Sequence, residues 1–527
     1  MPIKHLSRTF QGGLTLVALL ALAACGGGSD DTEDLDRSND RGSIVRNPPT
    51  QLANLSNAQF TASLRASAGG LSLLTLTKVG TNEDVKCGID LRYIQYGTVG
   101  GAGERTNASG ALMIPTGGAG CTGARPVVLY AHGTTTSKDY NLALLGSTNA
   151  AASEAGLIAA AFAAKGYIVV APNYAGYEAS TLGYHPYLNA DQQSKDMIDA
   201  LTAARKAINR IGNGTTASTR LFVAGYSQGG HTAMATARAL QAAGTPVTAL
   251  AGGSGPYAMS AFVDDIFGGQ PLIGGTLFTP LLSTSWKRSY GNQAGLSIYG
   301  SASELYTATY STGIESLMPT ALTITQLFTP PAAGVPPKLP QAAMFGNDLA
   351  GYNAADPRYA PLFGEPAASL IRTSYGAAVQ ADKTANPCPR PTGATGPLDC
   401  TPAHPLRALA KLNDLRNWKP DPTKTLQVLL CGGIEDPTVA FTNTTRMAQY
   451  LSDQGAAQTI TLDLASASGG ALDPFATAKL GFQATINGIG AVGTAARAQN
   501  YHGTVAPFCV AAAEGMFSGV LTALGGT

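Results

Sequence analysis

Charge is what this chain has least of. Only 13% of its 527 residues are Asp, Glu, Lys or Arg, and the 34 basic side chains nearly balance the 33 acidic ones. A net charge of +1 spread this thinly leaves no basic stripe of the kind nucleic-acid binding needs, so no nucleic-acid partner is expected. Histidine is scarce as well, at six residues, and no group of His, Cys, Asp and Glu has metal-site spacing. A phosphate-cradling glycine loop and a flavin fingerprint are also missing, so no metal or cofactor is expected. The apolar run at residues 14–22 falls well short of the roughly 20 residues a membrane span requires.

What is there begins with an export signal. Lys4 and Arg8 precede the apolar run, and Leu22-Ala23-Ala24-Cys25 forms the cleavage region. That region resembles a bacterial lipobox. The resemblance implies that residues 1–24 are removed as a signal peptide and that Cys25 is lipidated, with Gly26 after it pointing to the outer membrane. An ordinary signal peptide with a cysteine nearby, releasing a secreted protein, is the alternative. Residues 25–55, with their glycine run and the acidic Asp30, Asp31, Glu33, Asp34 and Asp36, read as a flexible tether.

About 475 residues remain, enough for one large domain with a substantial insertion. Residues 125–131 and 167–172 are nearly unbroken apolar strands, and residues 85–95 and 110–114 look like an opening antiparallel pair. Helical patterns cover residues 150–165 and 192–211, closed by Gly166 and Gly212. Strands buried on both faces and spaced by helices predict an α/β protein with a mostly parallel sheet. The rhythm fails over residues 255–415, which carry tyrosines and the pairs Pro330-Pro331 and Pro336-Pro337. A structureless loop of that length is uncommon, so a largely helical cap over the active site is expected there. Strand patterns return at 425–430 and 459–464, with helices at 442–454 and 503–524. The core is therefore expected at 56–254 and 416–527.

An apolar strand from Leu221 runs into Gly225-Tyr226-Ser227-Gln228-Gly229 and straight on into a helical segment. Among 63 glycines the pentapeptide alone means little, but strand, tight turn and helix in that order are what a nucleophile elbow requires. A serine hydroxyl needs a base to take its proton and an acid to orient the base. After signal removal the histidines are His132, His185, His231, His404 and His502, and only His502 lies beyond the returning strands. It is expected in a loop at the sheet's C-terminal edge. The acid is expected just after the strand ending near Leu430, where Asp436 is the first choice and Glu435 the second, its other role being a surface charge or helix cap. Gln228 and Thr134 are the expected oxyanion donors through their backbone amides, with hydroxyls of Thr134, Thr135 and Thr136 as possible additions. His231 and His404 carry no expected catalytic role.

Export permits disulfides. Beyond Cys25 the cysteines are Cys87, Cys121, Cys388, Cys400, Cys431 and Cys509, which allow fifteen pairings. Cys388 with Cys400 is the local choice. Cys431 with Cys509 would pin the segments carrying acid and base, which leaves Cys87 with Cys121; buried free thiols are the alternative.

Four segments resemble the α/β-hydrolase superfamily, and within it the secretory lipase family: 130–134, 166–176, 185–188 and 225–231, with the late Gly433-Ile434-Glu435-Asp436-Pro437 element. The resemblance implies an α/β-hydrolase fold and a Ser/Asp/His hydrolase of carboxylic esters: lipid, aryl or polyester-type esters met outside the cell. His132, Tyr226, His185 and Tyr187 are candidates for substrate contact, His132 having loop packing as its alternative role. The long insertion and the 37 residues between the last strand and His502 depart from the familiar pattern. A serine peptidase using the same triad, an acyltransferase and a non-catalytic surface protein are the competing readings. A monomer held at a membrane by its lipid is expected.

Overall fold

The computed structural model describes residues 34–67, 69–78, 87–270, 272–340, 369–421, 427–456 and 458–526. The signal segment, Cys25 and the tether up to residue 33 lie outside the described residues. The N-terminal part contains β1 (Asp34–Leu35), β2 (Arg46–Asn47), β3 (Thr50–Leu55), α1 (Asn57–Ala66) and α2 (Gly70–Thr77). Then follow β4 (Gly88–Val99), β5 (Arg105–Thr116), β6 (Gly123–Ala131), α3 (Ala152–Ala161), β7 (Ile168–Pro172), α4 (Ala190–Ile211), β8 (Thr215–Tyr226), α5 (Gln228–Ala242) and β9 (Ala249–Gly253).

The segment between β9 and the next strand holds α6 (Met259–Phe267), α7 (Gly275–Tyr290), α8 (Ala302–Leu305), α9 (Ile324–Phe328), α10 (Thr373–Ala385) and α11 (Pro405–Leu412). The chain closes with β10 (Gln427–Gly432), α12 (Thr442–Asp453), β11 (Thr459–Asp463), α13 (Ala476–Gly490) and α14 (Thr494–Ala523).

Strands β3 to β11 make one sheet in the order β11-β10-β9-β8-β6-β7-β5-β4-β3. From β7 to β11 neighbouring strands are parallel, while β3, β4, β5 and β7 pair antiparallel. The unbroken apolar runs follow from cover on both faces. Along β6, Val128 and Tyr130 enter the core built with Phe162 and Phe517, and Val127, Leu129 and Ala131 enter the core built with Met197, Leu201 and Met234. The period of two thus feeds two cores from one strand.

The insertion has a third apolar core around Trp286, Tyr306, Leu327 and Leu409. Its helices share one buried cation. Arg407 of α11 donates to both oxygens of Asp264 on α6 (2.7 and 3.0 Å) and to Asp382 on α10 (2.6 Å). One guanidinium thus serves two carboxylates, and losing Arg407 would leave both buried anions uncompensated.

Two expectations need correction. The tether is shorter than residues 25–55, because β3 is an edge strand of the sheet and Ile44 is buried. Polar contacts hold this stretch, such as the Arg41–Asp199 ion pair at 3.0 Å, and composition alone does not reveal them. The final helix starts at Thr494 rather than near 503, so His502 lies inside it and not in a loop. By length and composition α14 would pass for a membrane span, yet it packs along the sheet with Val505, Phe508, Ala512 and Phe517 buried.

Three disulfides are present: Cys87–Cys121, Cys388–Cys400 and Cys431–Cys509. Bridges of this number belong to a chain folded in an oxidising, extracytoplasmic compartment. The last ties β10 to α14 across 78 residues. Replacing Cys431 and Cys509 together by serine is expected to lower the unfolding free energy by about 2–5 kcal/mol, read from urea or guanidinium titration.

Candidate active site

Ser227 stands between β8 and α5 with φ 58° and ψ −122°, a conformation that side chains other than hydrogen rarely adopt. Its amide donates to Gly253 O at 2.8 Å, fixing the turn to the next strand. A side chain at Gly229 would overlap the carbonyl of Ala131, and one at Gly225 the carbonyl of Gly229. The glycines are therefore set by the closeness of β6, β8 and α5.

The structure brings Ser227, His502 and Asp436 together. Ser227 Oγ and His502 Nε2 are 2.9 Å apart, and His502 Nδ1 lies 2.7 Å from Asp436 Oδ2. A carboxylate only accepts, so Nδ1 carries the proton and Nε2 is free to accept from the serine. Asp436 is buried, and its Oδ1 accepts from the amides of Thr438 (2.9 Å) and Val439 (3.1 Å). Glu435 is elsewhere: it is exposed and pairs with Arg497 of α14 at 2.6 Å.

His502 is presented by helical backbone. Pro507 has no amide to bond Gly503 O, yet the helix continues through it. The Tyr226 hydroxyl donates to the carbonyl of His502, and the two rings lie 5.1 Å apart. The stretch before His502 holds α13 and the first turns of α14, and Phe482 of α13 packs edge-on against Tyr501 and Phe508.

Among the described residues, nothing accepts from the amides of Gln228 and Thr134. The Gln228 amide is the first of α5, one of the unbonded donors at a helix N-terminus, where the dipole favours negative charge. The Thr134 loop is clamped from several sides. Glu154 accepts from Gly133 N (3.2 Å), Tyr130 OH (2.8 Å) and Tyr140 OH (2.6 Å), and Tyr177 OH donates to Thr135 O (2.6 Å). Thr134 Oγ1 is engaged with Tyr187 OH at 2.9 Å, and Thr135 Oγ1 with the amide of Ser137.

Of the four candidates for substrate contact, Tyr187 borders the cavity above Ser227, and Tyr226 borders a second cleft while holding His502. His132 and His185 do not reach substrate. His132 is fully buried, stacked on Tyr174 at 4.0 Å and bonded to Asn173 O. His185 donates through Nδ1 to Ala175 O (2.9 Å) and accepts through Nε2 from the Gln228 side chain (2.6 Å). Both are packed because the loops above a parallel sheet need polar groups to satisfy their own backbone. His231 is likewise buried, against Asn413 O, and His404 caps α11. Glu154 escaped notice in the sequence; its signal was one carboxylate in the first turn of an otherwise apolar helix.

Burial pushes the His185 imidazole down to about 3 and that of His231 to about 4. The unfolded chain binds these protons near 6.5, so the stability they confer is complete above that pH and is lost as pH falls toward 3–4. Urea titrations at pH 7, 6 and 5 should show the loss, and His185→Gln should flatten it by up to roughly 1.4 kcal/mol per pH unit. The difference between wild type and variant cancels the opposite contribution of Asp196, whose buried carboxyl is raised to about 6.

No curated protein matches the chain. Residues 154–251, from α3 through the elbow to β9, match the model of the prolyl oligopeptidase family. Among solved structures the chain is similar to the rice cell wall degrading esterase LipA of Xanthomonas oryzae in ligand-bound form. Identity is 24% and the TM-score 0.60, over 84% of this chain and 95% of that one. A structure from Legionella pneumophila assigned to the hydrolases is 19% identical with a TM-score of 0.59, over 89% and 96% of the two chains. In strand order, elbow and likeness to solved structures, the chain has the α/β-hydrolase fold with the side-chain constellation of a serine hydrolase.

Proposed function

We propose that the protein hydrolyses carboxylic esters through an acyl-enzyme formed on Ser227. His502 takes the serine proton as Oγ attacks the carbonyl carbon, and Asp436 stabilises the imidazolium that results. The amides of Gln228 and Thr134 receive the developing oxyanion; a single such donor is worth about 2.7–4 kcal/mol of barrier. His502 then gives its proton to the departing alcohol, and a water repeats the sequence in reverse to release the acid.

The observation that carries the ester reading is the cavity that opens beside Ser227. Its walls are mostly apolar, from Met259, Val263, Leu282 and Ile298 among others. An apolar acyl group fits such walls, whereas a peptide would bring unsatisfied amides into them. The match of residues 154–251 to the prolyl oligopeptidase family favours a second reading, a serine peptidase. Against it stands Glu154, the one carboxylate bordering the neighbouring cleft, whose oxygens already accept from Tyr130, Tyr140 and Gly133.

At the N-terminus, lipidation of Cys25 would hold the enzyme at a membrane, the outer membrane by the Gly26 rule, with its site facing external esters. Incorporation of labelled palmitate into wild type and its loss in Cys25→Ala is the expected outcome; equal labelling of both rules the anchor out.

Ser227→Ala should lower kcat/KM for p-nitrophenyl butyrate by roughly 10⁶ and abolish fluorophosphonate labelling. Asp436→Asn should lower it by about 10⁴, while Glu435→Gln, an exposed ion-pair partner, should change it less than about fivefold. Turnover of aminoacyl p-nitroanilides in preference to esters would establish the peptidase instead.

A further inference from the structure

Ser227 lies where two cavities of different character meet. The first is the apolar one that runs into the insertion, and Gln228 borders it. The second opens between α2, α3 and α14 and is bordered by His502, Glu154, Leu73 and Thr485. His502 borders only the second, and Gln228 only the first. Three residues border both: Ser227, Thr134 and Phe278.

The chemistry distributes an ester between them. As the bond from carbonyl carbon to alcohol oxygen breaks, that oxygen must receive the proton held on His502 Nε2, so the alcohol departs on the histidine side. The new bond joins the carbonyl carbon to Ser227 Oγ, and the oxyanion turns to the amides of Gln228 and Thr134. The acyl chain takes the direction left over, past Gln228 into the insertion. Electrons and protons balance within the ester, Ser227 and His502, with water closing the cycle.

Phe278 is the side chain at the seam. It lies in the first turn of α7, half-buried, with its ring so close over Gly274 that a Cβ there would come within 2.6 Å of it. The ring thus lies directly against the Gly274 backbone.

We propose that Phe278 is the partition between an acyl tunnel and an alcohol cleft, and that it restricts the acid to one unbranched beside its carbonyl. The proposal rests on the ester reading above. The acid it selects is a straight, apolar chain, because the ring borders both cavities beside Ser227, and a substituent on the α-carbon would have to pass it. The alcohol cleft is wider and mixed in polarity, with Ser153, Glu154 and Thr485 at its border, and takes a bulkier alcohol.

The test compares kcat/KM ratios in wild type and variants. Phe278→Ala should raise the ratio of p-nitrophenyl 2-phenylpropanoate to p-nitrophenyl butyrate at least tenfold, and Phe278→Leu should fall between. Leu282→Trp should lower the octanoate-to-acetate ratio of p-nitrophenyl esters at least tenfold. Leu73→Trp should instead lower the ratio of 1-naphthyl acetate to methyl acetate. An active wild type whose ratios stay unmoved in both Phe278 variants, or a reversal of the two tryptophan effects, overturns the partition and leaves the ester reading standing. A wild type inactive on every ester overturns both.

Discussion

The whole site depends on a backbone turn that serine ordinarily avoids. Holding Ser227 at φ 58° and ψ −122° costs of order 1–3 kcal/mol, which surrounding structure must offset. It is offset where the molecule is stiffest, since β8 lies between β6 and β9 with its last residues buried. The hydrogen bond from Ser227 N to Gly253 O and the bare approach of Gly229 to Ala131 leave the turn no room to relax. One consequence is that the nucleophile and the Gln228 amide come from adjacent residues of a single rigid turn. Their relative placement therefore needs no support from any loop.

Base and acid are fastened by other means. Phe517 anchors α14 between Phe162 and Phe222, with ring centroids 6.0 and 4.6 Å away, and the Cys431–Cys509 bridge joins that helix to the strand preceding Asp436. Tyr501, next to His502, accepts from the amide of Glu435, next to Asp436. Acid and base are thus tied at residues flanking both, through contacts that do not involve substrate. Tyr226 adds the third tie, from the elbow itself to the His502 carbonyl. The three members are held as one body although they come from three distant parts of the chain.

The legible parts of the sequence were those governed by local rules. Strand β7 reads directly as Ile168-Val169-Val170-Ala171-Pro172 because cover on both faces demands an apolar run, and the elbow reads from its glycines. Asp436 over Glu435 becomes plain only in three dimensions: one is buried under two amides, the other is exposed beside Arg497. The setting of His502 was hidden because Gly503 looks like a helix boundary, whereas α14 begins at Thr494 and continues through it. His132 keeps the loop-packing role open to it, and His185 is packed in the same way. A polar ring in a functional segment resembles a ligand, but here the rings satisfy the carbonyls of Asn173 and Ala175. The insertion was illegible because its helices are short and its core is joined by pairs such as Arg407 with Asp264, which carry no sequence period.

The distance along the chain between nucleophile and base has an effect on the order of events during biosynthesis. Ser227 precedes His502 by 275 residues. A chain made and exported from its N-terminal side therefore displays the elbow long before α14 exists to supply a proton acceptor. Until that helix docks along the sheet, Ser227 is an ordinary alcohol.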